Sequence, residues 1–532
     1  MKSAYFNRIV FAIAFLVLFA RPPAFIAAPV FSQAVKSPPP RAEGEGPFKK
    51  LILHGAIVID GTGALPMGPA QIVIENNTIA SVDNVSPPGL PMPDPPKEKP
   101  GEKVMDLRGH YVVPGFVDMH EHIGSTKGTP AEYVYKLWMG HGITAIREVG
   151  CRNGLEWLIE QKKKSANNEI TAPRIFAYHI VYTRDPDDAR KQLRRNAEAG
   201  VDGVKLFGLP PDVFKAILDE AKELGLRSAC HLAQNAVGRT NMLDLARMGL
   251  TTMEHWYGLP ESFLDHSSIQ DWPLDAVYQN EQDRFGNAGR LWSQAAPPYS
   301  EKWNAVMNEL IELDFTLVPT FTIYEASRDL MRARRAEWHE EYTLPLLWRF
   351  YEPSRLSHGA YWYYWTTEDE VAWRKNYRLW MTFVNEYKNR GGRVVLGADS
   401  GFIYKLFGFG FIREFEMFRE AGFHPLEIVR AATLWGAEAL GAEDELGTVE
   451  PGKLADLVVV EENPLRNFKV LYGTGAIKLN AENEAVRVGG VKYTIKDGIV
   501  YDAKQLLADV RAMVRTAKSE EDFEIVQPGV KK

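Results

Sequence analysis

The stretch VVPGFVDMHEHIG, residues 112–124, decides how the rest of the chain is read. Its apolar, β-branched run predicts a strand, and it ends in two histidines, His120 and His122, with Glu121 between them. Successive side chains of a strand point to opposite faces, so the two imidazoles share a face and Glu121 turns the other way. Neutral imidazole is the commonest protein metal ligand, and two rings aimed at one point make part of a metal site. Two histidines also close many ordinary strands, so the remaining ligands have to come from elsewhere in the chain.

Outward from this pair, apolar strands alternate with amphipathic helices. Strands are expected at Thr144–Val149, Ile175–Val181, Gly203–Phe207, Arg227–His231, Thr252–His255, Phe315–Thr320 and Arg393–Asp399. Between them lie runs such as DDARKQLRRNAEAG and PDVFKAILDEAKELG, each stopped by glycine. With the strand ending at His120, this makes eight βα units over residues 114–439, the pattern of an α/β fold of the (β/α)8 TIM-like barrel type. Insertions at 259–313 and 324–392 interrupt it and are crowded with tryptophans, among them Trp272, Trp292, Trp303, Trp348, Trp373 and Trp380. A helix is expected over Thr367–Asn389, with Thr367 and Glu370 spaced as a capping box. The insertions either wall a substrate pocket, form the interface of a homo-oligomer, or pack on themselves.

The flanks differ in texture. Residues 49–113 and 440–502 read as short alternating strands, expected to pair into one small composite β-sandwich domain split by the barrel. Residues 503–532 read as a charged helix and tail. At the other end, Lys2 and Arg8 precede an apolar run from Ile9 to Ala20, shorter than the ~20 residues that span a bilayer. Small residues follow, so 1–34 reads as a cleaved secretory signal rather than an anchor, with 35–48 a flexible Pro- and Gly-rich leader. The mature chain is then expected in a periplasm or outside the cell, with no other membrane-spanning candidate. Losing Lys2, Arg8 and Arg21 with the signal takes the formal charge from −7 to −10. With no basic stripe, nucleic acid is not an expected partner. The only two cysteines, Cys151 and Cys230, leave no disulfide framework, and Cys230 reads as a small buried hydrophobe.

Reading the C-terminal ends of the barrel strands in turn gives His120 and His122, Lys205 in DGVKLFG, His231 in SACHLAQ, His255 in TMEHWYG and Asp399 in LGADSG. Active-site residues of such barrels come from these strand ends. With these residues and the strings VVPGFVDMHEH, GITAIREVG, AGVDGVKLF, PLEIVRAATLWGAEALG and LGTVEPGKLADLVVVEENPL, the chain resembles the amidohydrolase superfamily of metal-dependent hydrolases. The resemblance is strongest to its Xaa-Pro dipeptidase-like and imidazolonepropionase-like branch and runs from Leu51 to about Asp502. It implies two divalent metal ions, zinc by the histidine-rich sphere. His120, His122 and Asp399 would hold one ion and His231 and His255 the other, with a carbamylated Lys205 bridging them. An ammonium beside two dications is repelled, whereas the neutral amine can add carbon dioxide and offer two anionic oxygens. The alternative for Lys205 is an ordinary pair with an acid such as Asp202, and for Asp399 a loop cap.

The implied chemistry is hydrolysis of an amide in a peptide or N-acyl amino acid by a metal-bridging hydroxide, with Asp399 as general base and then acid. Lactone or ester hydrolysis uses the same attack. A deaminase of cyclic amidines is disfavoured, because relatives of that type carry an acid where this chain has Gln234 and lack a lysine at the fourth strand. A secreted binding protein without chemistry is the reading from another class, and its relatives are expected to lose ligands, whereas all six stand here. His179, Tyr182, Arg184, Arg239, Tyr257 and Tyr324 lie at or just beyond strand ends and are candidates to touch substrate. His141 and His424 read as structural.

Overall fold

The computed structural model describes residues 37–526 apart from 88, 124–127, 268, 353–361 and 363, so the expected signal segment lies outside the described residues. The barrel strands are β6 (Phe116–Glu121), β7 (Ile143–Val149), β8 (Arg174–Ile180), β9 (Gly203–Leu206), β10 (Arg227–Cys230), β11 (Thr252–Glu254), β12 (Thr316–Val318) and β13 (Arg393–Val394), following β1 to β5 of the N-terminal segment. They form one parallel sheet in sequence order. Its two ends meet through backbone bonds from Met119 N to Leu396 O (3.0 Å) and from Asp399 N to His120 O (2.8 Å). The Asp118 carboxylate adds to this seam by accepting from Ala398 N at 3.0 Å. Gly397 is required at the seam, because a Cβ there would lie 2.8 Å from Val318 Cγ1 and 3.0 Å from His120 Cβ. Inside the barrel an apolar layer of Val117, Met119, Ala145, Tyr178, Ala229, Val318 and Val395 fills the closed end.

Several expected strands are trimmed. The ladder stops at Cys230, Glu254 and Val394, so His231, His255 and Asp399 stand beyond the regular pairing. At His255 and Asp399, and at Thr320 beyond β12, the backbone takes φ values of 62°, 49° and 48°, turning the chain out of the strand direction. Such conformations are costly for side-chain-bearing residues and cluster at functional sites.

The flanking segments share one sheet. Strands β1 (Lys50–Val58), β2 (Met67–Glu75), β3 (Thr78–Asn84), β4 (Glu102–Asp106) and β5 (Tyr111–Pro114) come from the N-terminal side. The C-terminal side supplies β14 (Leu457–Val460), β17 (Val491–Lys496) and β18 (Ile499–Asp502), while β15 (Ala476–Leu479) and β16 (Ala485–Val488) form a separate hairpin. The two sides join where β5 pairs antiparallel with β14, Val113 opposite Val458. The strands are connected by hydrogen bonds into one sheet, in which β1 pairs with β2, β4 and β5 and shifts register against β2 near Ala56. Residues of the leader contact the folded chain. Glu45 bridges to Val500, and the Glu43 carboxylate pairs with Lys136 at 2.7 Å.

The insertions hold helices Glu281–Ala288, Glu301–Glu312, Glu325–Arg334, Pro345–Tyr351 and Thr367–Asn389. Most of their tryptophans are core. Trp256, just beyond β11, packs 5.9 Å from both Trp373 and Trp380, and Trp292 and Trp303 pack around Phe383. The capping box falls one residue earlier than expected, because Thr366 rather than Thr367 is the last extended residue (φ −92°, ψ 170°) and its N–H donates to Asp369 Oδ2 at 2.9 Å. Asp369 also pairs with Arg290 at 2.8 Å, tying the two insertions together. His424 and His141 are structural as expected: His424 starts the helix Pro425–Ala432, and buried His141 bonds Leu137 O at 2.7 Å. Cys151 and Cys230 are buried free thiols.

Removing the Asp369 carboxylate as Asp369→Ala is expected to cost about 1–2 kcal/mol at neutral pH, measured by chemical denaturation. Burial opposes the carboxylate, but Thr366 and Arg290 outweigh it and lower its pKa. The contribution is therefore complete above the unfolded-state value of about 4 and fades as pH falls through the lower folded-state value, so the two unfolding curves should converge in acid.

Candidate functional site

At the C-terminal mouth of the barrel, His120 Nε2 lies 3.7 Å and His122 Nε2 3.3 Å from Asp399 Oδ1, while His255 Nε2 lies 3.7 Å from Asp399 Oδ2. His120, His122 and Asp399 each offer a ligand atom within 4.8 Å of the others. The two oxygens of one carboxylate thus face two different sets of imidazoles. The ring of His231 stands 4.5 Å from that of His255, centre to centre. Lys205, on β9, is 1% exposed and its Nζ has no hydrogen-bond partner among the described residues. Buried ammonium groups are almost always paired, so a lysine amine without a hydrogen-bond partner beside imidazoles stands out.

The rings are oriented from behind. His120 Nδ1 bonds Glu254, which also receives Arg147 Nη2 at 2.6 Å, and Arg147 reaches Met119 O at 2.7 Å and Thr252 Oγ1 at 2.8 Å. His255 Nδ1 bonds Thr320 Oγ1 at 2.6 Å. In both rings Nδ1 is engaged and Nε2 turns to Asp399, the arrangement by which outer partners fix a metal-binding tautomer. Glu148 Oε1 lies 3.7 Å behind His122 Nδ1.

Charge follows this geometry. Burial brings His120 down to about 4 and His255 to about 3, and drives His231 well below its ordinary value, so these rings are neutral donors. Burial also acts on His122, but Asp399 and Glu148 on either side overcome it and lift it to about 9. That position attracts positive charge, whether a proton or a metal cation. Burial works against the Asp399 carboxylate, yet His120, His122 and His255 hold it ionised. Burial pulls the Lys205 amine below the ordinary lysine range.

A cavity of about 310 Å³ opens over these groups, lined by His120, His122, Lys205, His231 and Asp399. Of the expected substrate residues, Tyr182, Tyr257 and Tyr324 line it. His255 borders it from below, its ring 5.7 Å from that of Tyr324. His179, Arg184 and Arg239 do not line it. His179 sits half-buried on β8, and Arg184 and Arg239 are on solvated loop positions facing outward. The sequence reading missed Arg152, Phe207, Gln234, Tyr278, Arg284 and Phe285, all in the cavity wall. Arg152, Phe207 and Gln234 follow strand ends by a few residues, a signal present in the chain; Tyr278, Arg284 and Phe285 arrive from the first insertion, whose placement no local pattern announces. Glu121, as expected, is absent from the cavity lining; it is buried beside Asp118.

Histidines, a lysine and an aspartate gathered at the C-terminal mouth of a barrel are donor types that could hold a divalent metal ion. The sequence pattern of the Amidohydrolase family matches residues 111–266 and 381–500, and the chain belongs to that family. Among curated relatives, the adenine deaminase of Bacillus subtilis (strain 168) is 36% identical over 185 residues, covering 32% of this chain and 31% of the relative; the chain thus spans about a third of that protein's length. Among solved structures, a Xaa-Pro dipeptidase with methionine bound in its active site superposes with a TM-score of 0.54 at 20% identity, over 85% of this chain and all of the other. A bottromycin amidohydrolase gives 0.58 at 17% identity, over 93% and 94% of the two chains. At these identities the structural likeness speaks for the fold. The protein is thus a member of the amidohydrolase superfamily.

Glu254→Gln keeps the volume of the buried side chain while weakening its grip on His120 and Arg147. It is expected to lower metal affinity by about 10- to 100-fold, measured by competition with a chelator.

Proposed function

We propose that the chain is an exported binuclear amidohydrolase that cleaves an amide in a peptide or an N-acyl amino acid. The observation that carries this reading is the double facing of Asp399, one oxygen toward His120 and His122 and the other toward His255, with the buried Lys205 amine among the same imidazoles. In it His120, His122 and Asp399 would hold one divalent ion and His231 and His255 a second, with Lys205 as a ligand that both could share. The donor set fits zinc and does not exclude manganese, iron, cobalt or nickel. The lysine fits a carbamate, since burial lowers the pKa of its amine and so favours the neutral form, which can attack carbon dioxide and release a proton as the N–C bond forms. When bound, the pair of ions would supply Lewis acidity for the scissile carbonyl and an acidified water.

The rest is the work of the chain's own residues. Asp399, ionised and held between the histidines, takes the proton of the attacking water at one oxygen and returns it to the departing nitrogen. Glu254 and Thr320 keep the Nε2 faces of His120 and His255 fixed while this happens. Tyr257, Tyr324 and Phe207 flank the cavity and exclude water from the scissile bond.

The deaminase relatives favour a second reaction on the same site, but Gln234 gives no carboxyl to protonate a ring nitrogen, and Lys205 matches the binuclear pattern. Ester or lactone hydrolysis is the alternative on the same groups, since the same attack serves either carbonyl. Export is supported by the apolar run Ile9–Ala20 and the small residues Ser32 to Ala34 that follow.

Elemental analysis is expected to find about two equivalents of divalent metal, in keeping with a two-metal site. Lys205→Ala should retain at most one and lose amide cleavage on a panel of dipeptides, N-acyl amino acids, esters and adenine. A metal-free protein inert to every member of that panel would overturn the reading in favour of a binding protein, and turnover of adenine alone would favour deamination.

A further inference from the structure

The cavity carries polar groups that neither the ligand set nor proton transfer uses. Gln234 is 4% exposed; its Oε1 accepts from the Tyr278 hydroxyl at 3.3 Å, and its Nε2 has no hydrogen-bond partner among the described residues. Tyr278 belongs to the first insertion, and so does Arg284, on the helix Glu281–Ala288. The Arg284 guanidinium lies 5.4 Å from the Tyr278 ring centre and 4.7 Å from that of Phe285. One of its nitrogens bonds Glu281 at 2.9 Å, while Nε is buried with no partner among the described residues. Gln234, Tyr278 and Arg284 line the same cavity as Lys205 and His231.

Buried N–H groups are nearly always satisfied, so two donors left open on one cavity wall mark where a ligand brings acceptors. The donors are an amide N–H and a guanidinium N–H held in place by aromatic rings and Glu281, which suits a carboxylate better than a neutral carbonyl. Another guanidinium, Arg152, lines the cavity and makes no ion pair among the described residues, adding to the attraction for an anion.

We propose that the cluster of Gln234, Tyr278 and Arg284 is a subsite that reads a carboxylate on the substrate, so that the insertion selects anionic N-acyl amino acids over their neutral amides. The inference rests on the amide-hydrolase reading for its substrate class. Arg284 and Gln234 are specificity residues: they touch the substrate away from the scissile bond.

The test uses the metal-loaded full-length protein with N-acetyl-L-phenylalanine and N-acetyl-L-phenylalaninamide, reading acetate release. The wild type is expected to prefer the acid by about tenfold or more in kcat/KM, the scale of one charge-assisted hydrogen bond. Arg284→Met should bring that ratio to about one, mainly through KM for the acid and with metal content unchanged, and Arg284→Lys should fall between. Equal rates on the two compounds in the wild type, or a preference that survives in Arg284→Met, would overturn the subsite while leaving amide hydrolysis standing. If neither compound turns over, calorimetric titration of each decides separately: tighter binding of the acid that is lost in Arg284→Met supports the subsite although the amide chemistry fails, and equal or absent binding overturns it.

Discussion

The seam where the last barrel strand meets the first is the constraint on which the site depends. Asp399 N donates to His120 O across it, so one backbone bond places the aspartate against two histidines far away in sequence. The regular ladder of β13 is only two residues long, and the seam is completed by Met119 N to Leu396 O and by the Asp118 carboxylate reaching Ala398 N. Closing so long a loop costs entropy that grows only slowly with its length, and the intervening βα units recover it by burying their own apolar faces. Any change that loosens this closure moves Asp399 before it moves the fold.

Charge inside the barrel is balanced in a similar way. Arg147 is fully buried, and Glu254 answers it on one side while holding His120 on the other. Taking either partner away would leave a buried charge uncompensated, a change that costs several kcal/mol, whereas the complete network is well satisfied. Lys205 contrasts with Arg147: it is a cation-capable buried group whose Nζ has no hydrogen-bond partner among the described residues, and that contrast is what supports the proposed role.

Much of this was legible in the chain because strand ends carry the site. The alternation of strands and helices located His120, His122, Lys205, His231, His255 and Asp399, and the rule that barrel residues act from the C-terminal ends of strands grouped them before any contact was known. Glu254 and Arg147 were not singled out, since a charged residue inside a strand is read from its neighbours across the barrel, and those are set by register. The ends of β11 and β13 escaped for a related reason: His255 and Asp399 take left-handed backbone, and neither is a glycine whose position would announce it. Gln234, Tyr278 and Arg284 meet only because an insertion folds back over the mouth, a long-range event without a local signature. The aromatic abundance of the insertions, by contrast, proved mostly a matter of packing.

The pairing of β5 with β14 has a consequence for how the chain is made. Val113 leaves the ribosome on the order of half a minute before its partner Val458, at ordinary elongation rates. A sheet built as far as β5 without β14 would have an open edge there, the kind of surface that invites pairing with another molecule. The barrel strands can assemble among themselves as they emerge, yet the sheet beside them waits for β14. The timing of biogenesis, rather than the strength of the finished contacts, is where this architecture is most exposed.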